Sequence, residues 1–109
     1  MGTVESGLIE LEPETVNAML QAGEAVLVDV REDEEYAAER IAGSILVPMS
    51  DFEVDTWPSF PGKTTIISCL GGVRSAAVAR KLMASGQPWA IHLKGGLNAW
   101  KDAGLPTES

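Results

Sequence analysis

A single cysteine, Cys69, opens a glycine-containing segment that reads CLGGVRS over residues 69–75. The thiolate is the reactive form of cysteine, and helix N-termini favour it through unpaired N–H groups and the helix dipole. Gly71 and Gly72 can adopt backbone conformations that are closed to other residues, so they can turn several N–H groups inward to make a nest for an anion. Arg74 adds a permanent cation. This pattern predicts a nucleophilic thiolate that attacks an anion or becomes one.

The chain offers few other groups for acid–base or metal chemistry. Its only imidazole is His92, which lies in an apolar run and is interpreted as a packed, hydrogen-bonded residue. It approaches the cysteine loop only if its strand neighbours the strand before Cys69, so we do not predict a protease-type Cys–His pair. One cysteine, one histidine and scattered acids predict no disulfide, no metal site and no cofactor. The alternative for Cys69 is a buried thiol that only fills space.

The elements that must position these residues alternate between strands and helices. Short apolar runs predict strands at 8–11, 26–30, 44–47, 64–68 and 89–93. Helices are predicted from Pro13 to Gly23 and over 32–39, 75–85 and 97–103. This alternation predicts one α/β domain, residues 1–109, with a parallel sheet of about five strands and helices on both faces. Ligands of such folds bind beyond the carboxyl ends of the strands, where Asp29 and Cys69 lie.

The charge is divided unevenly along the chain. The 109 residues carry a net charge of −8, of which residues 1–39 contribute −10 and residues 40–109 contribute +2. Such acidity argues against binding of nucleic acid or of an anionic membrane surface. We interpret the acidic third as a solubilising face, or alternatively as a docking surface for a partner. With no signal pattern at the N-terminus and no membrane-spanning run, a cytoplasmic protein is predicted.

The three tryptophans are open to two interpretations. Trp89 lies in a predicted strand and Trp100 in a predicted helix, and both are expected in the core. Trp57 lies in a loop near two prolines. It is interpreted either as an ordinary loop residue or as a residue that lines the mouth of the pocket.

Four segments, in order along residues 8–106, resemble the rhodanese-like domain family. Its active-site pattern C-x-x-G-x-R-[ST] is matched by Cys69, Gly72, Arg74 and Ser75. Its D-x-R-x-x-x-E-[FY] region resembles Asp29-Val30-Arg31-Glu32 with Tyr36 after it. Its G-A-x-x-[IV]-P strand is similar to residues 43–48. Its closing G-G-x-x-x-W-x-x-x-G-x-P is matched by Gly95, Gly96, Trp100, Gly104 and Pro106.

The resemblance implies a rhodanese-like three-layer fold and a sulfurtransferase. In that family's reaction Cys69 takes the outer sulfur of a donor, such as thiosulfate or a persulfide, and becomes a persulfide itself. It then passes the sulfur to a thiophilic acceptor, either cyanide or a thiol, including a protein thiol. The substrate-binding residues implied are Leu70, Gly71, Gly72, Val73, Arg74 and Ser75. Asp29 and Arg31 are implied as supports of the pocket floor and the neighbouring loops.

The length and side chains of the cysteine loop refine the expected substrate. Six residues run from Cys69 to Arg74, as in family members that act on sulfur, whereas relatives that act on phosphate or arsenate carry one more. The residues between carry no charge or hydroxyl, so thiosulfate is expected to be a poor donor and an organic or protein persulfide the better one. Two alternatives stay open: a non-catalytic or sulfur-carrier module with an acidic docking face, and a phosphatase or arsenate reductase.

Overall fold

The computed structural model describes residues 7–109 and contains one sheet with helices around it. The strands are β1 (Leu8–Leu11), β2 (Ala25–Asp29), β3 (Ile45–Leu46), β4 (Thr64–Ser68) and β5 (Ala90–Leu93). The α-helices are α1 (Pro13–Gln21), α2 (Asp33–Ala38), α3 (Val73–Ala84) and α4 (Gly96–Asp102). The two 3₁₀ turns are Met49–Asp51 and Val54–Thr56. The predicted α/β class is confirmed, and most boundaries fall within two residues of the prediction.

The five strands form one parallel sheet in the order β1-β5-β4-β2-β3. β4 lies at its centre, and the continuous apolar residues at the start of β2, Ala25 to Val28, suit a strand that is covered on both faces. Asp29 and Ser68 are register partners at the carboxyl ends of β2 and β4. The segments that follow these two strands therefore begin side by side at one edge of the sheet.

Two apolar clusters cover the two faces of the sheet, as expected for three layers. One cluster joins α1 and α4 to the sheet and contains Val16, Leu27, Ile66, Leu93, Leu97 and Trp100. The other places α3 on the opposite face and contains Val28, Ile67, Val78, Ala79, Leu82 and Cys69. The cysteine side chain therefore belongs to the apolar layer between α3 and the sheet.

The tryptophans divide between the core and the far end of the sheet. Trp100 is buried, as predicted, and its Nε1 donates a hydrogen bond to the carbonyl oxygen of Pro106 over 2.8 Å. The prediction for Trp89 is wrong: it is 57% exposed, because it precedes β5 rather than lying inside it. Trp57 and Trp89 line a cavity of about 300 Å³ beside Thr64 and Ala90, the first residues of β4 and β5. That cavity lies at the opposite end of these strands from Cys69.

Within residues 7–109, no helix is both long and apolar enough to cross a membrane. The first residues, on which the predicted lack of a signal pattern depends, lie outside the described part of the chain.

Candidate active site

The side chain of Cys69 lies where β4 meets the first turn of α3. Its Sγ accepts hydrogen bonds from the backbone N–H groups of Gly72, over 3.0 Å, and Ser75, over 3.3 Å. The side chain is 1% exposed. Helix α3 begins at Val73, so the sulfur sits at the positive end of the helix dipole. Two of the loop's backbone N–H groups therefore point at the sulfur, an arrangement that stabilises negative charge there.

The backbone conformation of the cysteine loop requires a glycine at one position, Gly72. Gly72 has a φ of +99°, a region that residues with a Cβ rarely adopt, and it precedes the first residue of α3. Gly71 does not have a positive φ, and a Cβ built on it meets no atom within 4 Å. The conformational role predicted for both glycines therefore applies to Gly72 alone.

The turn before α4 holds the other side of the cysteine loop. The N–H of Leu97 donates to the carbonyl oxygen of Cys69 over 2.8 Å, and the N–H of Asn98 donates to that of Leu70 over 3.0 Å. A Cβ on Gly96, whose φ is +59°, would lie 2.4 Å from the carbonyl oxygen of Cys69. Gly96 thus allows α4 to bind the loop's carbonyls while the loop's N–H groups face the sulfur. The sequence signal for this contact is the Gly95-Gly96 pair, but the pair alone does not show that it lies against the cysteine loop.

Arg74 is engaged with a carboxylate rather than left free. Its Nη1 and Nη2 donate to the two carboxylate oxygens of Glu35 over 2.7 Å and 2.9 Å. Hydrogen bonding to Arg74 lowers the pKa of Glu35 to about 2, and the same bond raises the pKa of Arg74 above its ordinary value. Glu35 occupies the E of the D-x-R-x-x-x-E pattern but was not singled out in the sequence. Its bridge ties the first turn of α3 to α2.

Asp29 and Arg31 form a buried ion pair at the end of β2. The Nη2 of Arg31 lies 2.8 Å from Oδ2 of Asp29, and the Nε donates to both carboxylate oxygens. The guanidinium also donates to the carbonyl oxygens of Glu35, over 3.3 Å, and Glu39, over 2.7 Å. The pair therefore fastens α2, and with it Glu35, to the end of β2.

His92 reaches the site through a hydroxyl group. Strand β5 does neighbour β4, and the imidazole is 1% exposed. Its Nδ1 lies 2.8 Å from Oγ of Ser75, which in turn lies 3.4 Å from Sγ of Cys69. The structure thus shows the packed, hydrogen-bonded histidine that the sequence predicts. It also shows an indirect link to the cysteine that the sequence does not reveal.

The outer surface of the cysteine loop is apolar, and some acids of the neighbouring segment 32–35 already have hydrogen-bond partners within the fold. Val73 is 80% exposed and Leu70 is 38% exposed. Glu32 accepts hydrogen bonds from the hydroxyl and N–H of Ser50, and it forms a capping box with Glu35 at the start of α2. Two of the four consecutive acids at 32–35, Glu32 and Glu35, therefore have structural partners. Among residues 7–109, no group of three or more His, Cys, Asp and Glu side chains is arranged to hold a metal ion.

Comparison with known proteins places this geometry in a family. The family model for the rhodanese-like domain matches residues 12–103. An uncharacterized protein of Synechocystis is 38% identical over 99 residues, which are 91% of this chain and 55% of that protein. The thiosulfate sulfurtransferase GlpE of Actinobacillus succinogenes is 34% identical over 101 residues, covering 92% of this chain and 90% of GlpE.

Structural similarity agrees with the sequence comparisons. The crystal structure of a rhodanese-like domain protein from Staphylococcus aureus superposes with a TM-score of 0.75 at 33% identity, covering 93% of this chain and 99% of that one. Among the sequence relatives, the chain spans 55% of the length of the Synechocystis protein and 90% of the length of GlpE. On the match over residues 12–103, the protein belongs to the rhodanese-like domain family.

Proposed function

We propose that the protein transfers sulfane sulfur through a persulfide on Cys69. The observation that carries the proposal is the pair of backbone N–H groups, from Gly72 and Ser75, that point at Sγ. Preorganised N–H donors stabilise charge where it develops during a reaction. Family membership and the similarity to GlpE support sulfur as the transferred group.

The reaction proceeds in two displacements. The Cys69 thiolate attacks the outer sulfur of the donor, the donor's S–S bond breaks, and the donor leaves with the bonding electron pair. Cys69 then carries a persulfide, whose terminal sulfur is anionic. An acceptor thiolate or cyanide attacks that terminal sulfur, and Cys69 leaves as the thiolate. No external oxidant or reductant is needed, because each S–S or S–C bond formed replaces one that is broken.

The surroundings of the loop favour an organic or protein persulfide as donor and a thiol as acceptor. Thiosulfate carries two negative charges, and the cation that would attract it, Arg74, is paired with Glu35. The exposed side chains of Leu70 and Val73 offer an apolar contact to an organic or protein partner. Exposed apolar groups gain from covering by such a partner and gain nothing from a small hydrated dianion.

The direct test is mass spectrometry of the intact protein after incubation with a donor panel. The panel contains thiosulfate, glutathione persulfide and a protein persulfide. Wild type is expected to gain one sulfur atom, fastest from the persulfides, whereas Cys69→Ser gains none. An absence of adduct with every donor would contradict the proposal and favour the partner-binding alternative.

The choice of donor has its own test. Glu35→Gln releases Arg74 from its ion pair, so loading from thiosulfate should rise relative to loading from glutathione persulfide. Glu34→Gln removes a neighbouring exposed acid as a matched control and should leave the ratio unchanged. Wild-type loading from thiosulfate as fast as from either persulfide would contradict the proposed donor class while leaving sulfur transfer intact.

A further inference from the structure

A chain of polar groups runs from the nucleophile to the surface across three strands of the sheet. Sγ of Cys69 lies 3.4 Å from Oγ of Ser75, which lies 2.8 Å from Nδ1 of His92. Nε2 of His92 lies 3.1 Å from Oε2 of Glu10 on β1, although the two are not aligned as a hydrogen bond. The first three residues are buried, with exposures of 1%, 0% and 1%, whereas the Glu10 side chain is 50% exposed.

The hydroxyl of Ser75 has one proton and several neighbouring acceptors. Besides Sγ and Nδ1, its Oγ lies 3.3 Å from the carbonyl oxygen of Gly72. The Glu10 carboxylate beside Nε2 favours the tautomer of His92 that carries its proton there. Nδ1 then accepts the Ser75 proton, and Oγ can accept a proton from the Cys69 thiol.

We propose that His92 is a positioning residue that accepts, through Ser75, the proton that Cys69 releases on becoming a thiolate. The thiol proton moves from Sγ to Oγ while the hydroxyl proton moves from Oγ to Nδ1. Thiol and neutral imidazole thus become thiolate and imidazolium, with no other reactant. Ser75 then donates to the thiolate, beside the two backbone N–H groups. The proposal rests on Cys69 being the nucleophile of the proposed sulfur transfer.

The charged surroundings of His92 are consistent with a neutral acceptor that can take a proton transiently. Burial lowers the pKa of His92, and Arg80, on α3, lowers it further. Glu10, on β1, acts in the opposite direction. Cys69, which follows β4, faces it through Ser75. The ring is therefore neutral at pH 7, as a proton acceptor must be, and the Glu10 carboxylate stabilises the imidazolium once it forms.

The protonation state of the His92 ring can be measured without overlapping signals, because His92 is the only histidine of the chain. Nitrogen-15 NMR of tag-free, histidine-labelled protein is expected to show the proton on Nε2 at pH 7. In Cys69→Ala no thiolate can pair with the imidazolium, so the midpoint of the ring's titration should move to lower pH. A proton on Nδ1, or a titration that Cys69→Ala leaves unchanged, would overturn the proposal.

Alkylation of Cys69 by iodoacetamide, followed from pH 6 to about pH 10, tests the relay chemically. His92→Asn keeps a hydrogen-bonding group near Ser75 but cannot accept a proton, and Ser75→Ala removes the bridge. Each is expected to react about 100-fold more slowly than wild type at pH 7, the lower end of what a positioned proton acceptor contributes. Their rates should converge with the wild-type rate at the highest pH, where the thiolate forms without help. A purely structural defect would instead lower the rate at every pH.

Matched variants complete the alkylation series. Ser68→Ala removes another buried hydroxyl beside Cys69 and should leave the profile unchanged. Glu10→Gln should slow alkylation at pH 7 by about 3-fold, whereas Glu12→Gln, on the neighbouring exposed acid, should not. A wild-type alkylation rate for His92→Asn at pH 7 would overturn the relay. Normal alkylation profiles without any sulfur loading would overturn the proposed function and leave the relay standing.

Discussion

The segments that follow β2 and β4 begin side by side at the same edge of the sheet but are held in different ways. After β2, a charged side chain holds the segment: Arg31 binds Asp29, the carbonyl oxygen of Glu35 in α2 and that of Glu39 directly after α2. After β4, backbone groups do it: the N–H groups of Gly72 and Ser75 bind the sulfur, and α4 binds the carbonyls of Cys69 and Leu70.

The difference separates support from chemistry. The guanidinium of Arg31 is buried and bonds Asp29 and the carbonyl oxygens of Glu35 and Glu39, so it supports this segment from within the fold. In the cysteine loop, the carbonyls of Cys69 and Leu70 accept hydrogen bonds from α4, and the N–H groups of Gly72 and Ser75 point at the sulfur, where charge would change during the proposed sulfur transfer. If this distinction holds, substitutions after β2 should mainly lower stability, whereas substitutions around the cysteine loop should mainly slow sulfur loading.

The largest effect is expected from the buried ion pair. Arg31→Gln leaves the Asp29 carboxylate buried without its partner, which should lower the free energy of unfolding by about 3–5 kcal/mol. Arg40→Gln, which breaks the more exposed pair with Glu108, should cost about 1 kcal/mol or less. Urea denaturation measures both. Similar losses for the two variants would show that burial does not distinguish these ion pairs.

A smaller loss of stability, but a selective loss of function, is expected from Gly96→Ala. The added methyl group overlaps the carbonyl oxygen of Cys69, so the loop must move, at a cost of about 2–3 kcal/mol. A displacement of about 1 Å at the sulfur should slow persulfide formation by about 100-fold.

Gly71→Ala is the matched control for that substitution, since a Cβ there meets no atom within 4 Å. It should unfold at the wild-type urea concentration, so the two variants are compared by their stability. Equal defects in the two variants would contradict the role assigned to the contact between α4 and the loop.

The smallest effect is expected from the bridge between the two regions, Glu35–Arg74. The folded-state pKa of Glu35 is about 2, below its ordinary 4.5, so its contribution is complete above pH 4.5 and is lost as the pH falls toward 2. Because the pair is partly exposed, Glu35→Gln should cost about 1 kcal/mol or less at pH 7.

Urea denaturation at a series of pH values checks this prediction. The difference between wild type and Glu35→Gln should shrink toward zero by pH 2, and Glu34→Gln should show no such trend. A difference that stays constant down to pH 2 would mean that the bridge does not stabilise the fold through its charge.

The sequence predicted features that depend on local signals. Apolar runs and helix-ending glycines located the strands and helices, and residues 64–75 contain, in order, a strand, the cysteine, its loop and the arginine at the start of a helix. The wrong prediction for Trp89 also follows from relying on local signals. An apolar residue next to a strand looks like part of it, and only the start of β5 at Ala90 shows that Trp89 lies outside.

Composition and pattern alone determined the α/β class, the parallel sheet and the position of the cysteine at a strand end, because hydrophobic periodicity acts over a few residues. Only the tertiary structure decided the partners of the loop. Arg74 meets Glu35 across 39 residues of chain, and Ser75 meets His92 because β5 lies beside β4. Strand order sets those contacts, and strand order follows from how whole faces pack, which no short segment encodes.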